Sequence, residues 1–263
     1  MDLGLKDKSV IVLASSKGLG KATAHQFAAE GARVFLASRD EDTLEETAAE
    51  IREGTGNPNV AYSVCDIKNA DSIKQLVVKA VSKHGPIDVL INNAGGPPAG
   101  SFDDVADDAW QHAFELNLLS FTRAIREVLP HMRKQGGGRI LNFASSSIKE
   151  PIDGLILSNT FRAGITGLSK SLSQELAGDN ILINTIGPGR IGTDRVDHLD
   201  GVNAEKQDIS IEEVKQEAEN KIPMGRYGEP EEFARIAAFL CSTANTYMTG
   251  QSFLVDGGMV KAL

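Results

Sequence analysis

Seven short apolar runs, separated by longer stretches with helical spacing, restrict this chain more than any other feature of its sequence. The runs occupy 10–13, 33–37, 60–64, 87–91, 139–143, 181–185 and 253–255. They are rich in β-branched and aliphatic residues and nearly free of polar alternation, the pattern of strands buried on both faces. Between them, helical patterns cover 18–30, 41–53, 70–84, 107–134, 152–177 and 230–241. A parallel strand pair needs a crossover, and crossover helices cover the faces of the sheet they connect. The expected fold is therefore α/β, a doubly wound parallel sheet of about seven strands with helices on both faces. Its ligand crevice is expected at the carboxyl ends of the strands, where strand order reverses.

No linker, repeat or low-complexity tract divides the 263 residues, so 1–263 reads as one domain. The stretch 194–225 breaks the rhythm: it has no strand signal and one polar helical pattern at 211–220. An insertion of that length is either a lid over the substrate or an ordinary surface excursion. The net charge of -9 argues against a nucleic-acid or anionic-membrane surface, since phosphate binding needs a basic face. The acidic clusters at 103–108 and 212–219 read as solvated helix faces. Two cysteines, Cys65 and Cys241, form no disulfide framework, and no spacing of metal ligands is visible. The start lacks the apolar core of a signal peptide, and no 18-residue apolar run is present. A cytoplasmic, reduced protein is expected.

The segment Ala14-Ser-Ser-Lys-Gly-Leu-Gly20 joins the first strand to the first helix. Glycine there lets backbone approach a pyrophosphate, and the helix start offers free N–H groups and the positive end of its dipole. At the end of the second strand, Ser38 stands where a carboxylate would grip a ribose 2′-hydroxyl, and Arg39 follows it. Lys17 and Arg39 converging on one spot suit a 2′-phosphate, which favours NADP(H) over NAD(H); the bland alternative is two unrelated surface charges. Asp40 reads as the N-cap of the helix beginning at position 41 rather than as a ribose ligand.

Further motifs follow: Asn92-Asn93-Ala94-Gly95 after the fourth run, Asn117 in a helical stretch, Ser145 thirteen residues before Ser158, Asn184-Thr-Ile-Gly-Pro-Gly189, and Val255-Asp256-Gly257-Gly258. Together they resemble the short-chain dehydrogenase/reductase family, nearest its 3-oxoacyl-carrier-protein-reductase-like members, over nearly the whole chain. The resemblance implies a Rossmann-type fold and a coenzyme site. In it, Asp66 and Ile67 flank the adenine, with Asp66 alternatively a cap on the helix near position 70. Asn93, Ala94 and Gly95 support the central strand end and the ribose, while Pro188, Gly189, Ile191 and Thr193 hold the nicotinamide. Ala14, Ser16, Lys17, Gly18, Leu19 and Gly20 form the phosphate turn. This chain departs from the family's Thr-Gly-x-x-x-Gly-x-Gly at the first two positions, with Leu13 and Ala14.

The larger departure lies in the reaction site. Where the family has Tyr-x-x-x-Lys, this chain has Ser158 and Arg162, one helical turn apart. The family's lysine lowers the phenol's pKa and binds the nicotinamide ribose. An alkyl hydroxyl is a far weaker acid than a phenol, and arginine cannot shuttle protons, although it can bind ribose hydroxyls or orient an anionic substrate. A general acid typically contributes about 10²–10⁴-fold, so turnover does not depend on the tyrosine alone. By resemblance Ser145 polarises the substrate oxygen and Asn117 holds a water; otherwise they are a strand-end serine and a kink-bridging asparagine. Lys149 and Tyr227 are the other groups near the expected mouth or lid, and the five histidines, His84 among them, read as surface residues. Three functions stay open: a reductase with an altered proton donor, a coenzyme-binding sensor or interaction subunit, and a non-redox enzyme holding the nucleotide structurally. The resemblance also implies a homo-oligomer, dimer or tetramer, built on the helices at 107–134 and 152–177 and the last strand, with a small-molecule substrate.

Overall fold

All seven apolar runs become strands of one parallel sheet in this computed structural model, which describes residues 2–262. The strands are β1 Ser9–Leu13, β2 Arg33–Ser38, β3 Val60–Val64, β4 Val89–Asn92, β5 Gly138–Phe143, β6 Ile181–Pro188 and β7 Ser252–Val255. Their spatial order is β3-β2-β1-β4-β5-β6-β7, so the order reverses between β1 and β4. This is a single Rossmann-type domain, as expected; the end positions of the 1–263 reading, Met1 and Leu263, lie outside the described residues.

Alternation along the strands builds two cores. Val10 and Val12 face one side with Val34 and Leu36, packing on Phe27, Leu44 and Phe233 of α1 (Gly18–Ala29), α2 (Glu41–Thr55) and α9 (Pro230–Leu240). Ile11, Leu13 and Phe35 face the other side with Ile73, Phe121 and Ile165 of α3 (Ala70–His84), α5 (Ser120–Gln135) and α6 (Ile156–Leu176). Successive side chains on a strand point to opposite faces, so runs apolar at every position need cover on both. Phe143 of β5 meets Phe233 edge-on at 4.9 Å, a geometry the ring quadrupoles favour. Ile165 is wholly buried, whereas Leu168 and Leu172 only pack against the same core.

The helix expected over 107–134 is interrupted. α4 (Asp107–Phe114) passes through one widened π turn, Glu115–Leu119, before α5 begins. The helix expected from 152 starts at Ile156, because the preceding loop is tied down: Gly100 N–H donates to Gly154 O at 2.6 Å and Ile156 N–H donates to Gly100 O at 3.3 Å. In 194–225 the polar pattern is α8 (Ile211–Asn220), and a second helix, α7 (Asp194–Gln207), precedes it without an apolar stripe to announce it. The acidic faces at 103–108 and 212–219 are largely exposed, as expected. His84 corrects the reading of the histidines as surface residues: it is 4% exposed at the end of α3 and packs edge-on against Phe35. Among the described residues no helix is long and apolar enough to cross a membrane, and no group of His, Cys, Asp and Glu could hold a metal.

Candidate active site

The reversal between β1 and β4 opens a crevice, and the expected coenzyme residues gather around it. The turn 14–17 is held from three sides. Ser15 Oγ accepts from Ala37 N at 2.9 Å, Thr47 Oγ1 donates to Ser16 O at 2.9 Å, and Asn93 Nδ2 donates to Ala14 O at 3.0 Å. Ser16 and Ser38 hydroxyls meet at 3.0 Å, joining the ends of β1 and β2. Thr193, at the start of α7, closes the crevice from above, 3.6 Å from where a Cβ on Gly18 would stand. Leu13 is buried in the core, and Ala14 takes φ +46°, the left-handed conformation that the family's glycine adopts freely.

Lys17 and Arg39 are exposed here, and among the described residues neither has a carboxylate within 4 Å. Asp40 caps α2, accepting from the Thr43 hydroxyl and from Thr43 N at 2.8 Å; the hydroxyl bond first, then the backbone bond and the nearby Lys17 charge, hold its carboxyl below the usual range. No side chain caps the amino end of α1 and no acid lies in its first turn. Open N–H groups, two free cations and a hydroxyl pair fit a phosphorylated dinucleotide. Asp66 lies beside this group but is not the cap on α3; Asn69 accepts from Asp71 N and Ser72 N, while Asp66 Oδ1 accepts from Lys68 N at 3.0 Å. Ile67 is 7% exposed and belongs to the core. Pro188 ends β6, Gly189 N–H donates to Val255 O at 2.9 Å, and Ile191 is buried beside Gly228.

At the reaction end, Ser145 follows β5 in extended conformation. Its Oγ accepts from Ser147 N at 3.1 Å, and its O–H finds no acceptor among the described residues. Gly187 of β6 lets this backbone approach, since a Cβ there would lie 2.6 Å from Ser145 O. Asn117 sits inside the π turn, wholly buried; its Nδ2 donates to Gly95 O at 2.9 Å while its Oδ1 has no partner among the described residues. Its amide thus braces the loop after β4 rather than its own helix. Ser158 is half-buried in the first turn of α6, and its hydroxyl makes no protein hydrogen bond among the described residues.

Arg162 reaches the carboxyl ends of β5 and β4, where it bonds backbone carbonyls. It is 5% exposed, and its Nη1 donates to Phe143 O at 2.7 Å and its Nη2 to Ala94 O at 3.3 Å, leaving Nε without a partner. The guanidinium ties the ends of β5 and β4 together from beneath. Burial, and then the charge of Arg195, pull its proton affinity down to about 10, so it stays cationic at neutral pH.

Two groups escaped the sequence reading. A buried polar row crosses three strands: Asn92 Nδ2 to Asn142 Oδ1 at 2.7 Å, Asn142 Nδ2 to Ser169 Oγ at 2.9 Å, and Thr185 Oγ1 to the same Oγ at 2.8 Å. It sets the register of α6, and hence of Ser158 and Arg162, against the sheet. The signal was available, as polar residues inside runs otherwise apolar. The second group anchors α7. Asp200, 2% exposed, accepts from Arg190 Nη1 at 2.5 Å and from Tyr227 Oη at 2.9 Å. Burial and this bond to a carboxylate push the phenol's pKa up, so Tyr227 is locked as a donor and is no substitute for the missing acid. Lys149 is exposed.

A seven-stranded parallel sheet whose reversal crevice gathers these groups defines a nucleotide-binding α/β protein of the Rossmann type. The family described as Enoyl-(Acyl carrier protein) reductase matches residues 13–260. The chain is 34% identical over 257 residues to a 3-oxoacyl-acyl-carrier-protein reductase of Thermotoga maritima, covering 97% of this chain and 99% of that one. Its fold matches L-sorbose reductase from Gluconobacter frateurii, complexed with NADPH and L-sorbose, with a TM-score of 0.95 and 33% identity over the full length of both. It also matches an NADPH-bound short chain oxidoreductase from Pseudomonas aeruginosa PAO1, described as containing an atypical catalytic center, with a TM-score of 0.89 and 27% identity over 98% of this chain and 99% of that one. The chain belongs to the short-chain dehydrogenase/reductase family.

Proposed function

We propose that this protein is an NADP(H)-dependent oxidoreductase that reduces a carbonyl compound, or oxidises the corresponding alcohol, with a proton donor other than tyrosine. The observation that carries the reading is Ser145: its Oγ accepts from Ser147 N–H, and its own O–H, with no acceptor among the described residues, is free to donate to a substrate oxygen. When bound, the dihydronicotinamide supplies the hydride. Ser145 orients and polarises the carbonyl, and the unbonded Ser158 hydroxyl lies on α6 to hold a water or pass a proton. Asn117, with its unpaired Oδ1, anchors the loop after β4. Arg162 keeps the floor of the site rigid through Phe143 O and Ala94 O. Lys17, Arg39, Ser16 and Ser38 form the seat of the 2′-phosphate. Gly18, Leu19 and Gly20 carry the pyrophosphate, and the 194–225 segment is the lid. Relatives whose structures hold NADPH support the coenzyme assignment. A small-molecule substrate, a cytoplasmic location and self-association as a dimer or tetramer complete the reading.

Positioning of reactants supplies about 7–11 kcal/mol, whereas a general acid supplies about 10²–10⁴-fold, which is why loss of the phenol is compatible with turnover. A second reading, a coenzyme-binding module without chemistry, is favoured by one observation: Arg162 commits two of its donors to backbone carbonyls, Phe143 O and Ala94 O, instead of leaving them free for a ribose or substrate. Calorimetry with NADPH and NADP⁺, followed by a carbonyl panel read at 340 nm, separates the two. NADPH consumption that falls at least tenfold in Ser145→Ala supports the enzyme. Tight binding without consumption of NADPH on any carbonyl supports the module.

A further inference from the structure

Arg195 stands in the first turn of α7, after β6, yet its Nη2 donates to Pro97 O at 3.1 Å in the loop after β4. In the sheet β5 lies between β4 and β6, so this arm crosses above the end of β5, where Ser145 stands. The guanidinium lies close over Gly96, 3.1 Å from where a Cβ there would stand. The loop 94–97 therefore has two guanidiniums on it, Arg162 on Ala94 O and Arg195 on Pro97 O. Among the described residues neither has a carboxylate within 4 Å. The neighbouring acids of α7, Asp194 and Asp197, are exposed and make no ion pair with it.

Backbone carbonyls solvate a guanidinium but do not neutralise it, so two unpaired cations leave the mouth of the site positive. Arg162 spends its terminal donors on carbonyls. Arg195 uses one Nη, and the rest of its planar fork stays free for an oxyanion. We infer that Arg195 is the specificity-determining residue for the substrate, binding a carboxylate or phosphate carried by the carbonyl compound. This inference rests on the reductase reading and names the substrate class within it.

The test uses the full-length protein with NADPH and a panel of oxo acids, each paired with its methyl ester, plus oxo phosphates paired with the dephosphorylated compounds. Wild type is expected to prefer the anionic member of at least one pair by about tenfold or more in kcat/KM, carried mainly by KM. Arg195→Leu is expected to bring that ratio close to one, and Arg195→Lys to retain part of it. Whether acids or phosphates show the preference identifies the oxyanion. Equal use of anionic and neutral members by wild type, or a preference that survives in Arg195→Leu, overturns the inference and leaves the reductase reading intact. Should NADPH bind without any turnover, the reductase reading fails, and calorimetry of the same pairs on the NADPH complex decides this inference separately. Anion binding lost in Arg195→Leu sustains it, and no anion binding overturns it.

Discussion

Ala14 takes φ +46°, a conformation that costs a residue with a Cβ about 1–2 kcal/mol. Glycine avoids that cost but loses about 0.5–1 kcal/mol through its freer unfolded chain. Ala14→Gly is therefore expected to stabilise the protein by about 0.5–1 kcal/mol, seen as a higher urea midpoint at unchanged slope; an unchanged or lower midpoint refutes the account. His84 makes a different prediction. Burial pulls its pKa below the ordinary value and leaves its Nε2 without a partner among the described residues. The unfolded chain then takes up the proton first, so stability is full above about pH 6.5 and is lost as pH falls towards the lower folded value. Replacing His84 by Gln should flatten the stability profile just below about pH 6.5; equal slopes for the two proteins would show that this histidine is not the sensor. Nothing at this scale explains why Ser158 replaces the family's tyrosine.

Elements hold these residues where chemistry can use them. α6 is seated by the Asn92–Asn142–Ser169–Thr185 row, so its amino-terminal turns reach the crevice in one register only. α7 is held near its two ends of attachment, by Arg195 on Pro97 O and by Asp200 between Arg190 and Tyr227. Removing one partner of a buried charge pair is costly, about 3–5 kcal/mol, because the other charge is left uncompensated. α7 buries few apolar side chains, Ala204 alone being fully buried among the described residues. It can therefore open locally before the sheet does. Asp200→Ala is expected to speed amide exchange over 194–207 at least tenfold, about 1.4 kcal/mol, with strand amides unchanged. Exchange in α7 that stays at the wild-type rate would rule out the latch.

Across the whole molecule, reversal of strand order between β1 and β4 opens the crevice at the strand ends, and the proposed choice of coenzyme rests on Lys17 and Arg39 beside the start of α1. Ligand at 100 times its Kd stabilises the folded state by about 2.7 kcal/mol, worth roughly 5–10 °C in Tm for a chain of this size. NADPH is expected to raise Tm more than NADH at equal concentration, and Lys17→Ala with Arg39→Ala should erase the difference; equal shifts in wild type would remove the 2′-phosphate seat. The sheet was legible in the sequence because runs apolar at every position have few ways to be buried. Helix α7 was not, because its residues carry no apolar period and its place is set by Asp200. The pairing of Ser158 with Arg162 on one helix followed from their spacing of four. The direction of the Arg162 side chain did not, because Phe143 O and Ala94 O lie 19 and 68 residues away along the chain. What the chain determined by itself was its strands, its helices and the turns between them, since burial period and turn chemistry act over a few neighbouring residues. Only tertiary structure decided which way the two arginines point and which tyrosine is locked, because those choices turn on carbonyls and carboxylates that come from segments well separated along the chain.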